Sequence, residues 1–193
     1  MKRTKNGYFD YLNPSAPNCD LSWDSVAWSL SATPRFGASG KRLTTVGQHS
    51  LAVYLAVVQY HPKNLMAQMY ALVHDAAEAY TGDMVKPWKN AMDERYPHPE
   101  VPHYWFENNR IEDALFKHWK IAPSEEDVRI VKEFDYLEAE LEYGYVFNNR
   151  SNFTREAIYE LSREEIYLEL VKDFNLHYYY LTGEQYGGEK AVA

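Results

Sequence analysis

Hydrophobic positions recur along this chain at the three-and-four spacing of helices, and convincing alternating runs that would mark strands are absent. The pattern predicts a short helix through Val26, Ala27, Trp28 and Leu30, capped by Asp24 and stopped before Pro34, since proline disfavours helical geometry in the residue ahead of it. A second helix of about 14 residues is expected from near Gly47 to Tyr60, ending at His61-Pro62. Asn64 caps a third, carried through Leu65, Met69, Leu72 and Val73 to Tyr80, with Gly82 as its stop. Between Met84 and Pro102, Pro87, Pro97, Pro99 and Pro102 interrupt the pattern and predict a long irregular crossing, a candidate lid.

Helices resume at about Tyr104 to Trp119, and again after Ser124, whose spacing to Asp127 resembles a capping box, through Ile130, Val131, Phe134, Leu137 and Leu141. A last helix is expected over roughly Thr154 to Phe174, and the tail 178–193 is expected to fray. The sum is an all-α fold, a compact bundle of about six or seven helices, in one domain spanning 1–193.

Charge and composition narrow the classes of function. A formal net charge of −8 argues against a protein whose main work is gripping a phosphate backbone, although a local basic pocket for one small anion is still allowed. Cys19 is the only cysteine, which excludes an intramolecular disulfide and a cysteine-based zinc site within one chain. The start of the sequence is charged without an apolar segment, and no later stretch approaches the roughly 18 apolar residues of a membrane span. A soluble, cytoplasmic protein without nucleic-acid or membrane partners is the expectation.

The chemistry concentrates in Ala71-Leu72-Val73-His74-Asp75-Ala76-Ala77-Glu78-Ala79-Tyr80-Thr81-Gly82-Asp83. His49 lies upstream in another apolar helix and Asp135 downstream in a third, and imidazoles and carboxylates are the ligands that zinc, manganese, cobalt and iron accept. On a continuous helix His74 and Glu78 share a face, while Asp75 is turned by about 100 degrees onto the flank. Asp83 follows Thr81-Gly82, where glycine lets the chain turn back. Two carboxylates beside one metal suit hydrolysis, one handling the attacking water and the other the leaving oxygen. The loop Thr33 to Arg42 adds Arg35, Phe36, Lys41 and Arg42, and Lys86 and Lys89 flank Pro87.

Each of these residues has a plainer reading when taken alone. His49 reads as a satisfied core histidine, Asp135 and Glu78 as solvated helix residues, Phe36 as a core anchor, and the arginines and lysines as surface charges.

Taken jointly, the order His49, His74-Asp75, Asp135 resembles the H…HD…D signature of the HD-domain metal-dependent phosphohydrolases. It looks most like the small bacterial and phage branch containing 5′-deoxynucleotidases and dATP triphosphohydrolases. The likeness extends to Arg35-Phe36-Gly37, Arg42, Val46-Gly47-Gln48-His49-Ser50, the block from His74 to Asp83, Pro87-Trp88-Lys89 and Lys132-Glu133-Phe134-Asp135, and covers roughly 22–145. The resemblance implies that His49, His74, Asp75 and Asp135 hold one divalent metal, cobalt, manganese or zinc, with magnesium and iron as further options. It implies catalytic roles for Glu78 and Asp83 and substrate binding by Arg35, Phe36, Arg42 and Lys89, in a homo-oligomer. Phe36 stands where the deoxynucleotidases carry a tryptophan that helps exclude a ribose 2′-hydroxyl, and Gln48 replaces an acidic residue common there.

The expected activity is hydrolysis of 2′-deoxynucleotide phosphates, foremost a 5′-deoxynucleotidase releasing phosphate from deoxynucleoside monophosphates. The alternatives are a deoxynucleoside triphosphate (dATP-type) triphosphohydrolase and a nucleotide-sensing module that binds without turnover. A nucleic-acid-binding helical protein would need a basic face. A cyclic-nucleotide phosphodiesterase would bring further histidine and aspartate ligands for a second metal.

Overall fold

A computed structural model describes residues 1–95, 103–148 and 156–188. Among them the chain is all-α apart from a two-stranded antiparallel ribbon, β1 (Lys2–Arg3) with β2 (Tyr8–Phe9). The helices are α1 (Trp23–Leu30), α2 (Val46–Tyr60), α3 (Leu65–Val73), α4 (Glu78–Thr81), α5 (Lys86–Arg95), α6 (His103–Trp119), α7 (Glu125–Asn148), α8 (Glu156–Tyr159) and α9 (Arg163–Thr182). No described helix is long and apolar enough to cross a membrane.

Helix α2 is the axis of the bundle. Its residues from Val46 to Tyr54 are all buried, with Ala56 and Val57, as a helix must be when it is apolar around most of its circumference. Helices α3, α7 and α9 pack around it. Its start is fixed by a capping box: the Thr45 hydroxyl accepts from the Gln48 N–H, and the Gln48 side chain accepts from the Thr45 N–H at 2.9 Å. The Gln48 amide also donates to the Ile158 and Tyr159 carbonyls, anchoring α8.

On the opposite side, Trp23 stacks on Phe174 with centroids 4.6 Å apart, and Trp119 meets both edge-on. Both indoles are satisfied, Trp23 donating to the Leu170 carbonyl and Trp119 to the Leu21 carbonyl, so α1, α6 and α9 close on one aromatic cluster.

Several boundaries differ from the sequence expectation. The cap of α1 is Ser22 rather than Asp24; Asp24 lies inside the first turn and is held by Lys5, Asn6 and Tyr167. The crossing expected as irregular contains α5, because Pro87 sits in the first turn, where a missing N–H costs no intrahelical bond; residues 96–102 of the candidate lid lie outside the described residues. The final helix is two: α8 stops at Tyr159, and α9 begins at a Ser162/Glu165 capping box and runs to Thr182. Tyr178 is therefore buried helix rather than frayed tail, and Tyr186 packs on Phe174 and Tyr178 beyond the left-handed Gly183 cap. Residues 189–193 lie outside the described residues.

Gly47, two residues before His49, is a close-packing point: a Cβ there would lie 2.8 Å from Ile166 Cγ2, 3.2 Å from Leu170 Cδ1 and 3.2 Å from the Leu30 carbonyl carbon. Gly47→Ala overpacks α2 against α9 and the end of α1. It should cost about 1–3 kcal/mol and lower the thermal midpoint by several degrees, measurable by differential scanning calorimetry; an unchanged midpoint would show that α9 yields freely.

Candidate metal centre

The expected continuous helix from Leu65 to Tyr80 breaks at the dipeptide that carries the chemistry. Helix α3 ends at Val73, and the chain passes through a tightened turn in which Ala76 N–H donates to the Val73 carbonyl, Glu78 N–H to Asp75 and Ala79 N–H to Ala76, all three residues apart. Such 3-10-type spacing rotates successive side chains further than an α-helix does. His74 and Glu78 therefore do not stack one α-turn apart as expected, but both, with Asp75, line one cavity.

Helices α2, α3 and α7 bring His49, His74 and Asp135 together, with one donor atom from each inside a 4.8 Å cluster. His49 Nε2 is 2.8 Å and His74 Nε2 3.8 Å from Asp135 Oδ1, and His74 Nε2 is 3.4 Å from Asp75 Oδ2. Donors at about 2.0–2.2 Å from one cation stand about 3–3.5 Å apart, so these separations need only small adjustment to converge on an ion. The tautomers fit as well. His74 Nδ1–H donates to the Ala71 carbonyl at 2.8 Å, so in the neutral ring the lone pair is on Nε2, which is buried and without a hydrogen-bond partner; a cation there takes the place of the proton that the cation-free ring carries. Of the four expected ligands, Asp75 stands at the edge of this group rather than within the set of three.

Glu142 was not anticipated. It is fully buried, with one oxygen 2.9 Å from Arg35 Nε and 3.3 Å from His49 Nδ1. The signal was present in α7, where Asp135, Glu138 and Glu142 continue the inward stripe begun by Asp127, Ile130 and Val131. An acidic residue at a core position is an anomaly that asks for a partner.

Arg35, Phe36, Asp83 and Lys89 also line the cavity, which has a volume of about 1070 Å³; Arg42 and Lys41 do not. The Arg42 guanidinium lies over the Tyr145 ring at 4.1 Å and 3.8 Å from Glu156, which holds it away from the site where it was expected to bind substrate. Phe36 adopts a left-handed φ of 54°, costly for a bulky side chain. Its ring packs edge-on against Tyr143 and Phe147, and its N–H donates to Asp83 Oδ2 at 3.1 Å. Asp83 thus ties the Arg35-Phe36 loop to the segment after α4.

Fields in the site are dominated by carboxylates. Burial pushes Glu78 well above the usual carboxylate range, with Asp75 and Asp83 adding to it, while Lys89 at 3.7 Å and Arg35 oppose. Burial also pushes Asp135 up, but the hydrogen bond with His49 and the nearby His74 ring outweigh it and hold it far below the ordinary value. Burial lowers His74, yet Asp75 and Asp135 raise it to about 10. His49 follows the same logic, with burial and Arg35 lowering it and Asp135 and Glu142 prevailing. Glu142 is pushed up by burial and brought below its usual value by Arg35 and His49. Both histidines thus take up protons to meet a local excess of negative charge, a demand that a divalent cation satisfies equally.

Compared with protein-family models and with curated proteins, the chain matches none.

Two outcomes follow from this charge balance. Cation binding must displace protons from the histidines, so titration calorimetry in buffers of different ionisation enthalpy should show proton release and affinity that rises from pH 6 to pH 9; Asp135→Ala should abolish binding, and pH-independent binding would remove both histidines from the site. In cation-free protein the raised His74 contributes stability that is complete below its ordinary value of 6.5 and is lost as pH climbs towards about 10. Thermal midpoints should therefore fall over that interval, and less so with saturating manganese.

Proposed function

We propose that this protein is a metal-dependent phosphohydrolase of the HD type that acts on 2′-deoxynucleotide phosphates, foremost as a 5′-deoxynucleotidase. One observation carries the reading: the orphaned Nε2 of His74 stands with His49 and Asp135 in a cation-sized cluster, beside a cavity that also presents Arg35 and the buried Glu78. His49, His74 and Asp135 would hold the ion, with Asp75 beside them. A divalent cation there supplies charge against the phosphoryl oxygens and a nucleophile from water at neutral pH.

The chain's own residues supply the rest. Arg35 is kept charged, because Glu142, Asp75, Asp83 and Glu78 outweigh its burial, and it is oriented through Nε by Glu142, so its remaining N–H groups can take phosphate oxygens. Water attacks phosphorus as the bond to the ester oxygen breaks, and the leaving oxygen needs a proton. Glu78, buried with Oε2 unpaired and its acidity suppressed, is suited to carry that proton. Phe36, fixed by Tyr143 and Phe147, presents an apolar edge where a ribose 2′-hydroxyl would go unsatisfied.

Monophosphate is favoured over triphosphate by the cavity's charge. Its basic side chains are Arg35, Lys86, Lys89 and Lys132, with Arg35 and Lys89 already close to carboxylates, and acidic groups outnumber them along the walls. A triphosphate would meet repulsion that one phosphate with one cation avoids.

Purified protein with cobalt, manganese or zinc should release phosphate from deoxynucleoside monophosphates faster than from ribonucleotides. Glu78→Gln should retain the cation and lose at least about a hundredfold in kcat. Release of triphosphate from dATP would move the assignment to the triphosphohydrolase, and cation binding without turnover of any nucleotide would leave a sensing module.

A further inference from the structure

The wall of the cavity formed by α6 plays no part in the chemistry above, yet it is polar and built. Asn108 is 9% exposed and its Oδ1 is buried without a hydrogen-bond partner. Glu112 follows one helical turn later on the same face, half-buried, and both line the cavity that holds His74 and Asp135. Burial, with Asp75 and Asp113 adding to it against His74, pushes Glu112 up to about 7. An unsatisfied buried amide oxygen costs about 1–3 kcal/mol, a cost offset when a ligand brings a donor to it. Tyr70, buried and packed edge-on against Phe116 of α6, lines the same cavity. The Asn108–Glu112 wall and the cation cluster therefore open on one continuous space.

We propose that Asn108 and Glu112 form a base-reading subsite that selects nucleotides whose base carries an exocyclic amine. Asn108 Oδ1 and a Glu112 oxygen are two acceptors one turn apart on a single face, and an amino group offers two N–H donors from one nitrogen. A carbonyl at the same ring position offers none, leaves the buried Asn108 Oδ1 unpaired and sets its own oxygen against the Glu112 carboxyl. Adenine and cytosine meet the requirement; hypoxanthine and uracil, which exchange that amine for an oxygen, do not. This assignment rests on the proposed nucleotide substrate.

The test compares dAMP with dIMP and dCMP with dUMP, pairs that differ in this one group. The wild-type protein should favour the amine of each pair by about tenfold in kcat/KM. Asn108→Leu and Glu112→Leu should bring the ratio close to one. A purely structural role would lower both members of a pair alike and keep the ratio, so loss of stability in a variant does not imitate the result. Equal turnover of each pair by the wild type, or a ratio unchanged in both variants, overturns the proposal. If no nucleotide is turned over, calorimetric binding decides: tighter dAMP than dIMP, lost in Asn108→Leu, sustains the subsite while the hydrolase reading falls, and equal binding removes both.

Discussion

A carboxylate with no exposed surface sets the terms for the centre of this molecule. Glu142 cannot stay ionised inside the bundle without partners, since an unpaired buried charge costs several kcal/mol. It has two: the Arg35 guanidinium and the His49 ring. The first comes from the loop after α1 and the second from the axial helix α2, so neutralising one side chain of α7 joins three separate stretches of chain. The same contact orients both partners. Arg35 is held through Nε, with one terminal nitrogen 3.8 Å from Asp75 Oδ2, and His49 is held through Nδ1 with Nε2 turned to Asp135. Removing the pair for an apolar core would cost little in stability and would release both groups, so the expense is better understood as the means of aiming them.

What the sequence showed of this arrangement follows from what short-range patterns encode. Helical periodicity, the Asn64 cap and the Ser124/Asp127 box are local, and α2, α3 and α7 begin within a residue of expectation. His49, His74 and Asp135 were legible as a group because each sits on an apolar stripe where an ionisable residue needs a reason. Glu142 obeys the same rule but lies outside the motif spacing, so only the continuation of the α7 stripe reports it. Arg42 shows the converse limit: its neighbours in sequence point to a phosphate loop, but its guanidinium is claimed by Tyr145 and Glu156, partners more than a hundred residues away. No local pattern reports such a competition.

The break at His74 marks a second limit, since residues 65–81 have the composition of one helix. The preference for a single helix is small, about a few tenths of a kcal/mol per residue, and tertiary contacts override it. Those contacts come from the N-terminal ribbon and α1. Lys2 donates to the Ala79 and Tyr80 carbonyls, Tyr11 to Tyr80, and Ser29 to Ala79, so two of the carbonyls left open where α4 stops at Gly82 are engaged from outside. Phe9 stacks on Tyr80 at 3.9 Å and fixes the same segment laterally.

The consequence bears on the site itself. With α4 pinned at its C-terminal end and α3 pinned by the Asn64 cap, the tightened turn between them takes up the difference. The side chains it displaces from α-helical register are His74, Asp75 and Glu78. An α-helix would have stacked His74 and Glu78 one turn apart on one face, close enough for the imidazole to use the carboxylate as its partner. The turn instead leaves His74 Nε2 facing Asp135 and Asp75, and Glu78 facing Lys89. A ligand and a proton carrier are thereby kept apart in one cavity, and Lys2, Phe9, Tyr11 and Ser29, none of them a site residue, are what hold them so.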